Sequence, residues 1–249
     1  MKKILILGSE GQIGRALKNY LSEKYTVLEC DIANSPLEDL RKKNQKKFNF
    51  IENNILIMHN VFSLIKKYNK KFVFASSTMS NMIHSNYGVL KKIGESFSES
   101  LGGITVKFWN VYGIEKEREK SHVITDFIIK AKKYKKINML TDGKEKRDFL
   151  YSEDCCAGLE LIMSNYNYYK KEKEIHLTTT NFTSIIEIAN IIKKKFLKQG
   201  INIKIIKSKK KDTLQFNQQN KANKFFLKYW KPKYSLKEGI SEIISFYLK

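Results

Sequence analysis

One seven-residue stretch restricts the fold more than any other: Gly8-Ser9-Glu10-Gly11-Gln12-Ile13-Gly14. It follows an apolar run rich in Ile and Leu, residues 2–7, which reads as a buried parallel strand. It precedes Ile13, Ala16, Leu17, Tyr20 and Leu21, which recur at helical spacing. Residues 25–30 read as a second strand that ends at Asp31. Strand, helix and strand thus fit within the roughly 30 residues that one β-α-β unit needs. Glycines at such a turn remove the side chains that would keep backbone away from a phosphate, and the helix start offers free N–H groups. The spacing G-x-x-G-x-x-G therefore points to the pyrophosphate of a dinucleotide. A carboxylate at Asp31 can accept hydrogen bonds from adenosine ribose hydroxyls and repel a 2′-phosphate, which favours NAD over NADP. Asp31 reads equally as a helix cap or a solvated loop acid.

The rest of the chain keeps alternating. The pattern predicts helices over 48–68, 87–101, 121–134, 152–163, 184–197 and from 235 onward. Strands are expected over 72–75, 104–109, 137–140, 175–178 and 201–206. This order implies an α/β fold, a Rossmann-like doubly wound parallel sheet covered on both faces. Residues 33–47, with Pro36 and many charges, offer no strand.

Composition narrows the function classes. The chain has 249 residues, of which 42% are hydrophobic, so a packed core is expected and wholesale disorder is not. Its apolar runs are too short to span a bilayer. The basic start and apolar run resemble a short signal peptide, but they lead into the glycine loop without a small-residue cleavage site. A cytoplasmic protein with no membrane partner is expected. Cys30, Cys155 and Cys156 form no C-x-x-C pair, so neither a disulfide framework nor a metal site is indicated. The net charge of +22 comes from lysines spread along the whole chain, with four arginines: Arg15, Arg41, Arg118 and Arg147. Nucleic-acid surfaces favour arginine and clustered patches, so no nucleic-acid partner is expected.

The chemistry-bearing pair is Tyr87 and Lys91. They stand four residues apart at a helix start and share one face. A nearby ammonium stabilises tyrosinate, which would make the phenol an acid/base for hydride chemistry at a carbinol. Ser77, at the end of the preceding strand, is placed to hydrogen-bond the same oxygen.

The order G-x-x-G-x-x-G, Ser76-Ser77, then Tyr87-x-x-x-Lys91 resembles the extended short-chain dehydrogenase/reductase family. Residues 108–113, Phe-Trp-Asn-Val-Tyr-Gly, are similar to that family's R-x-x-N-V-Y-G signature. Residues 147–154, Arg-Asp-Phe-Leu-Tyr-Ser-Glu-Asp, are similar to R-D-F-I-Y-V-D-D, and Trp230-Lys231-Pro232 through Gly239-Ile240 to its closing W-x-P…L…G-I pattern. Together these resemble the NAD-dependent sugar-nucleotide epimerase/dehydratase branch. The resemblance implies that Tyr87 is the acid/base, Lys91 its electrostatic partner and ribose ligand, and Ser77 the orienter of the substrate hydroxyl. It implies NAD held by Gly8, Gly11, Gln12, Ile13, Gly14, Asp31, Ile32 and Lys91. It implies a nucleotide-sugar substrate held by Asn110, Arg147 and Thr78, with Arg147 at the diphosphate or nucleotide. It also implies a homodimer built through the helices over 48–68 and 87–101. Read from the residues alone, Asn110 is equally a turn residue and Arg147 a structural partner of Asp148 or Asp154.

Two departures stand out. The family's 4,6-dehydratases carry an Asp-Glu pair after the active hydroxyl residue, whereas Thr78 and Met79 stand here, so epimerisation or oxidoreduction at a sugar carbon is expected. The family also places two strands between Asp31 and the Ser-Ser strand, and this chain has too few residues there, at about 30 per β-α-β unit. A contracted sheet follows, in which the first strand pairs with the Ser-Ser strand or leaves backbone groups unpaired, with a weakened adenosine pocket. The expected organisation is an NAD-binding Rossmann-like domain, 1–112 plus 148–180, and a small C-terminal α/β substrate lobe, 113–147 plus 181–249. The alternative is a truncated, non-catalytic relative that serves as a binding or assembly partner.

Overall fold

The computed structural model describes residues 2–31, 50–82, 85–115, 121–212 and 221–248. Ile32 and the stretch 33–47, in which no strand is expected from the sequence, lie outside the described residues. The chain divides into two compact units: residues 1–109, 156–177 and 222–230, and residues 110–155, 178–221 and 231–249.

The first unit contains β1 (Lys3–Leu7), α1 (Gln12–Leu21), β2 (Thr26–Cys30), α2 (Phe50–Tyr68), β3 (Val73–Ser77), a 3₁₀ turn (Thr78–Asn81), α3 (Asn86–Ser100) and β4 (Ile104–Phe108). After an excursion into the second unit the chain returns to it for most of α5 (Ser152–Ser164), the single turn α6 (Tyr166–Tyr169), β8 (Ile175–Leu177) and a second 3₁₀ turn (Phe225–Lys228). All strand pairs here are parallel: β1 with β2, and β3 with β4 with β8. Every residue of β4 is buried, as in a strand covered on both faces. Behind β3, Phe62 of α2 stacks on Phe97 of α3 at 5.1 Å and meets Phe72 and Phe74 edge-on or tilted. This aromatic group fixes both helices on the sheet.

Among the described residues β1 pairs with β2 and not with β3, so of the two expected alternatives the direct pairing of the first strand with the Ser-Ser strand is not the one met. Leu5, Leu7 and Leu28, which a fully covered central strand would bury, are 57%, 43% and 48% exposed.

The second unit contains β5 (Asn110–Tyr112), α4 (Val123–Tyr134), β6 (Lys136–Asn138), β7 (Lys146–Tyr151), β9 (Phe182–Ser184), α7 (Ile185–Leu197), β10 (Lys204–Ile206) and α8 (Leu236–Leu248). β5 runs parallel to β7, β9 antiparallel to β7, and β10 parallel to β6. Ile128, Ile137, Ile188, Ile192, Phe196 and Ile240 form the centre of its core. A capping box at Ser184 and Glu187 starts α7, each side chain bonding the other's backbone N–H.

Two strand expectations change. The run 104–109 breaks at Trp109, because Ile104–Phe108 pairs with β3 and β8 while Asn110–Tyr112 pairs with β7. The run 201–206 contracts to Lys204–Ile206. Among the described residues no helix is long and apolar enough to cross a membrane. Cys155 and Cys156 are buried thiols.

Candidate active site

The glycine loop has the geometry of a cradle. Gly8 takes φ +78°, a conformation that L side chains rarely adopt. A Cβ on Gly14 would lie 2.1 Å from the Gly8 carbonyl oxygen, so only a bare Cα lets α1 start this close to the end of β1. The N-cap of α1 is Gly11, which supplies no side-chain cap, and the N–H groups of the first turn are left to a ligand or solvent. The amide nitrogen of Gln12 is buried without a hydrogen-bond partner, an orphan donor at the helix start. Asp31 leans onto the loop, its Oδ2 accepting the Glu10 N–H at 3.1 Å. These features fit a dinucleotide: backbone donors at a helix N-terminus for the pyrophosphate, and a carboxylate at the end of β2 for a ribose. Ile13 sits half-buried in the first turn.

The Ser-Tyr-Lys group comes together at the end of β3. Ser77 is the last residue of the strand, and its Oγ accepts the Met79 N–H at 3.2 Å to start the 3₁₀ turn. Thr78 is the first residue of that turn. Tyr87 lies in the first turn of α3, where the nearby Ser77 side chain acts to lower its phenol. Gly88 permits the approach, because a Cβ there would lie 2.2 Å from Met79 O and 2.5 Å from Met82 O. Lys91, one turn further, has its Nζ 5.6 Å from the centre of the Tyr87 ring and donates to Ala75 O at 2.7 Å. Burial raises the phenol of Tyr87, and the Ser77 bond offsets only part of that. Burial also lowers Lys91, against the nearby Glu95. The lowered phenol expected from the lysine is therefore not met in this arrangement. The ammonium is engaged at Ala75, and burial of Tyr87 dominates.

The second unit holds the other expected residues. Asn110 is not a turn residue; it opens β5, and its Nδ2 donates to Asp148 O at 2.9 Å, tying β5 to β7. Arg147 pairs through Nη2 with Asp212 at 2.9 Å, while its Nε is buried without a partner. This corrects the reading of Arg147 as a partner of Asp148 or Asp154. Asp148 is wholly buried and accepts from the Thr179 and Thr180 N–H groups and the Thr178 and Thr179 hydroxyls. Asp154 accepts the N–H groups of Lys233 and Tyr234, which anchors the W-x-P stretch.

Sequence reasoning missed two residues beside the Ser-Tyr-Lys group, Glu95 and Lys107. Both are buried and paired. A signal was present: Glu95 stands four residues after Lys91, on the same helix face. Lys107 is a charge inside a strand that otherwise reads as apolar.

A parallel-stranded α/β unit with a glycine cradle and a Ser-Tyr-Lys group defines a Rossmann-like dinucleotide fold. The fold matches that of a GDP-L-fucose synthetase from Naegleria fowleri solved with NADP, at a TM-score of 0.80 and 19% identity over 99% of this chain and 92% of that one. A family model described as "NAD dependent epimerase/dehydratase family" matches residues 33–177, and the chain belongs to that family. Among curated proteins, it is 28% identical over 215 residues to a protein named "Putative UDP-glucose 4-epimerase" from Methanocaldococcus jannaschii, covering 77% of this chain and 68% of that protein. It is 25% identical over 187 residues to the CDP-abequose synthase of Salmonella muenchen, covering 74% and 60% respectively. The chain thus spans about two thirds or less of these relatives' own length. The expected cofactor, NAD, is the one by which the family is described.

Proposed function

We propose that the protein is an NAD-dependent epimerase or oxidoreductase that acts on a nucleotide-linked sugar by Tyr-Lys-assisted hydride transfer. The observation that carries this reading is the grouping of Ser77, Tyr87 and Lys91, in which Ser77 acts on the Tyr87 phenol and the Lys91 Nζ lies 5.6 Å from the centre of its ring. In this reading NAD, when bound, accepts a hydride from a sugar carbinol carbon. Tyr87 takes or returns the carbinol proton, Ser77 orients the hydroxyl, and Lys91 holds a ribose hydroxyl and favours tyrosinate. Thr78, next to Ser77, faces the sugar. Asn110 and Arg147 hold the substrate, where Arg147, fixed by Asp212 through Nη2, offers its unpartnered Nε to the diphosphate. Thr78 and Met79 supply no carboxylates, so the reaction is epimerisation or simple oxidoreduction and not dehydration. The names of the relatives support a nucleotide-sugar substrate, and α2 and α3, with Ile51, Ile55, Leu64 and Phe97 exposed, suit a homodimer face. A reaction on soluble nucleotide-sugars with NAD is a cytoplasmic one.

A screen of UDP-, GDP- and CDP-linked sugars for NAD reduction and for C-epimer formation tests the reading. One active substrate supports it. Silence across the panel, with no thermal stabilisation by NAD or NADP, favours the second reading, a non-catalytic relative that binds or assembles. The separate β1–β2 pair with exposed Leu5, Leu7 and Leu28 is the observation on that side. The same titration reads Asp31. NAD is expected to bind more tightly than NADP, and Asp31→Ser to narrow the difference about tenfold or more, because the carboxylate both bonds the ribose diol and repels a 2′-phosphate. Equal affinities in the unsubstituted protein would remove Asp31 from that role.

A further inference from the structure

Glu95 occupies the junction of three elements. It lies two turns after Tyr87 and one turn after Lys91 on α3, so the three share a helix face. Its carboxylate is 8% exposed. The Ser76 hydroxyl donates to Oε1 at 2.6 Å, and Lys92 donates to Oε2 at 3.0 Å. Lys107 of β4, whose side chain is 3% exposed, places Nζ 3.6 Å from Oε1. That same ammonium donates to Asn81 Oδ1 at 3.3 Å and pairs with Glu174 at 2.7 Å, and Glu174 in turn meets His176 of β8 at 3.1 Å. Ser76 and Asn81 bracket Ser77 and the 3₁₀ turn that starts on it. Glu95, from the helix that carries Tyr87 and Lys91, thus holds the strand end at Ser76, and Lys107, from β4, holds the far end of the turn at Asn81.

We propose that Glu95 is a positioning residue for the Ser77–Tyr87–Lys91 group: with Lys107 it locks the turn that carries Ser77 to the helix that carries the acid/base pair. This rests on the reading of that group as the reaction centre. The physical ground is that a buried carboxylate is retained only where donors satisfy it, and removing one member leaves the others buried and unpaired. A reaction that needs two side chains on one oxygen tolerates little displacement, and misplacement by about 1 Å costs on the order of a hundredfold. Charge adds a second effect. Burial lowers Lys91, and Glu95 is the acidic group that works against it. Burial opposes ionisation of Glu95 most strongly, yet the bonds from Ser76 and Lys92 and the charge of Lys107 together hold it below its ordinary value. Glu95 therefore stays an anion at neutral pH and helps keep Lys91 an ammonium.

The test uses the full chain with Glu95→Gln and Glu95→Asp, measured by thermal melting, by NADH fluorescence titration from pH 6 to 10, and by the pH profile of hydride transfer on a substrate found in the screen. Glu95→Gln is expected to lose about tenfold or more in kcat with KM changed less than about threefold. The alkaline limb of both NADH binding and kcat/KM moves down by roughly one pH unit. Glu95→Asp, which keeps the charge, leaves the limbs in place. A loss of kcat that only follows the folded fraction, with unshifted limbs, overturns the proposal, as does wild-type kcat in Glu95→Gln. If Glu95→Gln does not fold, Lys107→Met cuts the grip on Asn81 and leaves Glu95 with its Ser76 and Lys92 bonds; it must then lose kcat beyond what the folded fraction accounts for, and wild-type kcat there overturns the proposal. A Tyr87→Phe protein as active as wild type sinks the reading of the site, whereas the NADH limb still judges Glu95. No NADH binding by wild type sinks both.

Discussion

Tyr87→Phe lowers kcat for hydride transfer about a thousandfold while leaving NADH affinity within about threefold, since general acid/base groups of this kind contribute roughly 10²- to 10⁴-fold. The phenol oxygen is the one atom in the Ser77–Tyr87–Lys91 group that can move a proton to or from a carbinol, and phenylalanine deletes that atom while filling the same space. The direction of the pH dependence follows from the burial of Tyr87, which raises its phenol above the ordinary value of 10. In the reducing direction the protonated phenol is the donor, so the rate is flat across neutral pH and falls only where the phenol ionises. In the oxidising direction the ionised form is required, so the rate climbs with pH through the whole neutral range. Burial lowers the Lys91 ammonium and Glu95 works against that, so loss of Glu95 lowers it further. Steady-state rates of both directions between pH 6 and 10 check this. A Tyr87→Phe variant within tenfold of wild type, or an oxidising rate that falls with pH, removes Tyr87 from the proton transfer.

Much of this arrangement was legible in the chain because its determinants are local. The glycine loop needs only neighbours in sequence: Gly8 for a positive φ and Gly14 for an approach of 2.1 Å that no side chain survives. Tyr87 and Lys91 share a helix face by arithmetic, and Ser77 ends a strand of alternating pattern. The parts that were not legible depend on what packs from far away in sequence. Residues 146–151 form a strand because β5 and β9 flank them, a fact that no periodicity in Lys-Arg-Asp-Phe-Leu-Tyr announces. Arg147 was open to a neighbouring aspartate, yet its partner is Asp212, 65 positions on. Lys107 looks like an error in a buried strand until Glu95 and Glu174 are seen beside it.

Asp148→Asn destabilises the second unit by about 1–3 kcal/mol, the range for weakening buried hydrogen bonds to a charged acceptor. The carboxylate is wholly buried, and every bond that it makes is an acceptance. Thr179 donates its N–H at 3.0 Å to one oxygen, Thr180 donates its N–H at 3.0 Å to the same oxygen, and the hydroxyls of Thr178 and Thr179 take the remaining lone pairs. An amide keeps one oxygen for the two backbone N–H groups and turns its NH₂ towards the Thr179 hydroxyl, which can rotate to accept, so what is lost is the charge that strengthens each of these buried bonds and the 3.2 Å branch of the Thr179 N–H bond to the other oxygen. The segment also carries strain that the carboxylate holds in place. Thr180 takes φ +58°, an unusual value for a β-branched residue. With the clamp weakened, the loop can relax this strain only by leaving its bonds, and β9, which starts at Phe182, loses its anchor against β7. At about 2–4 °C per kcal/mol for a chain of this size, the melting temperature falls by roughly 5 °C. Asp142→Asn, on the neighbouring turn, serves as the control because Asp142 bonds only an exposed N–H, that of Lys144, among the contacts described. If Asp148→Asn melts within about 2 °C of wild type, the carboxylate is not the clamp. Asn110 bonds the Asp148 backbone carbonyl and Arg147 is its chain neighbour, so loss of this clamp reaches both residues assigned to the substrate lobe. A raised KM for the nucleotide-sugar in the folded fraction of Asp148→Asn, with NADH affinity unchanged, is the functional counterpart of the fall in melting temperature.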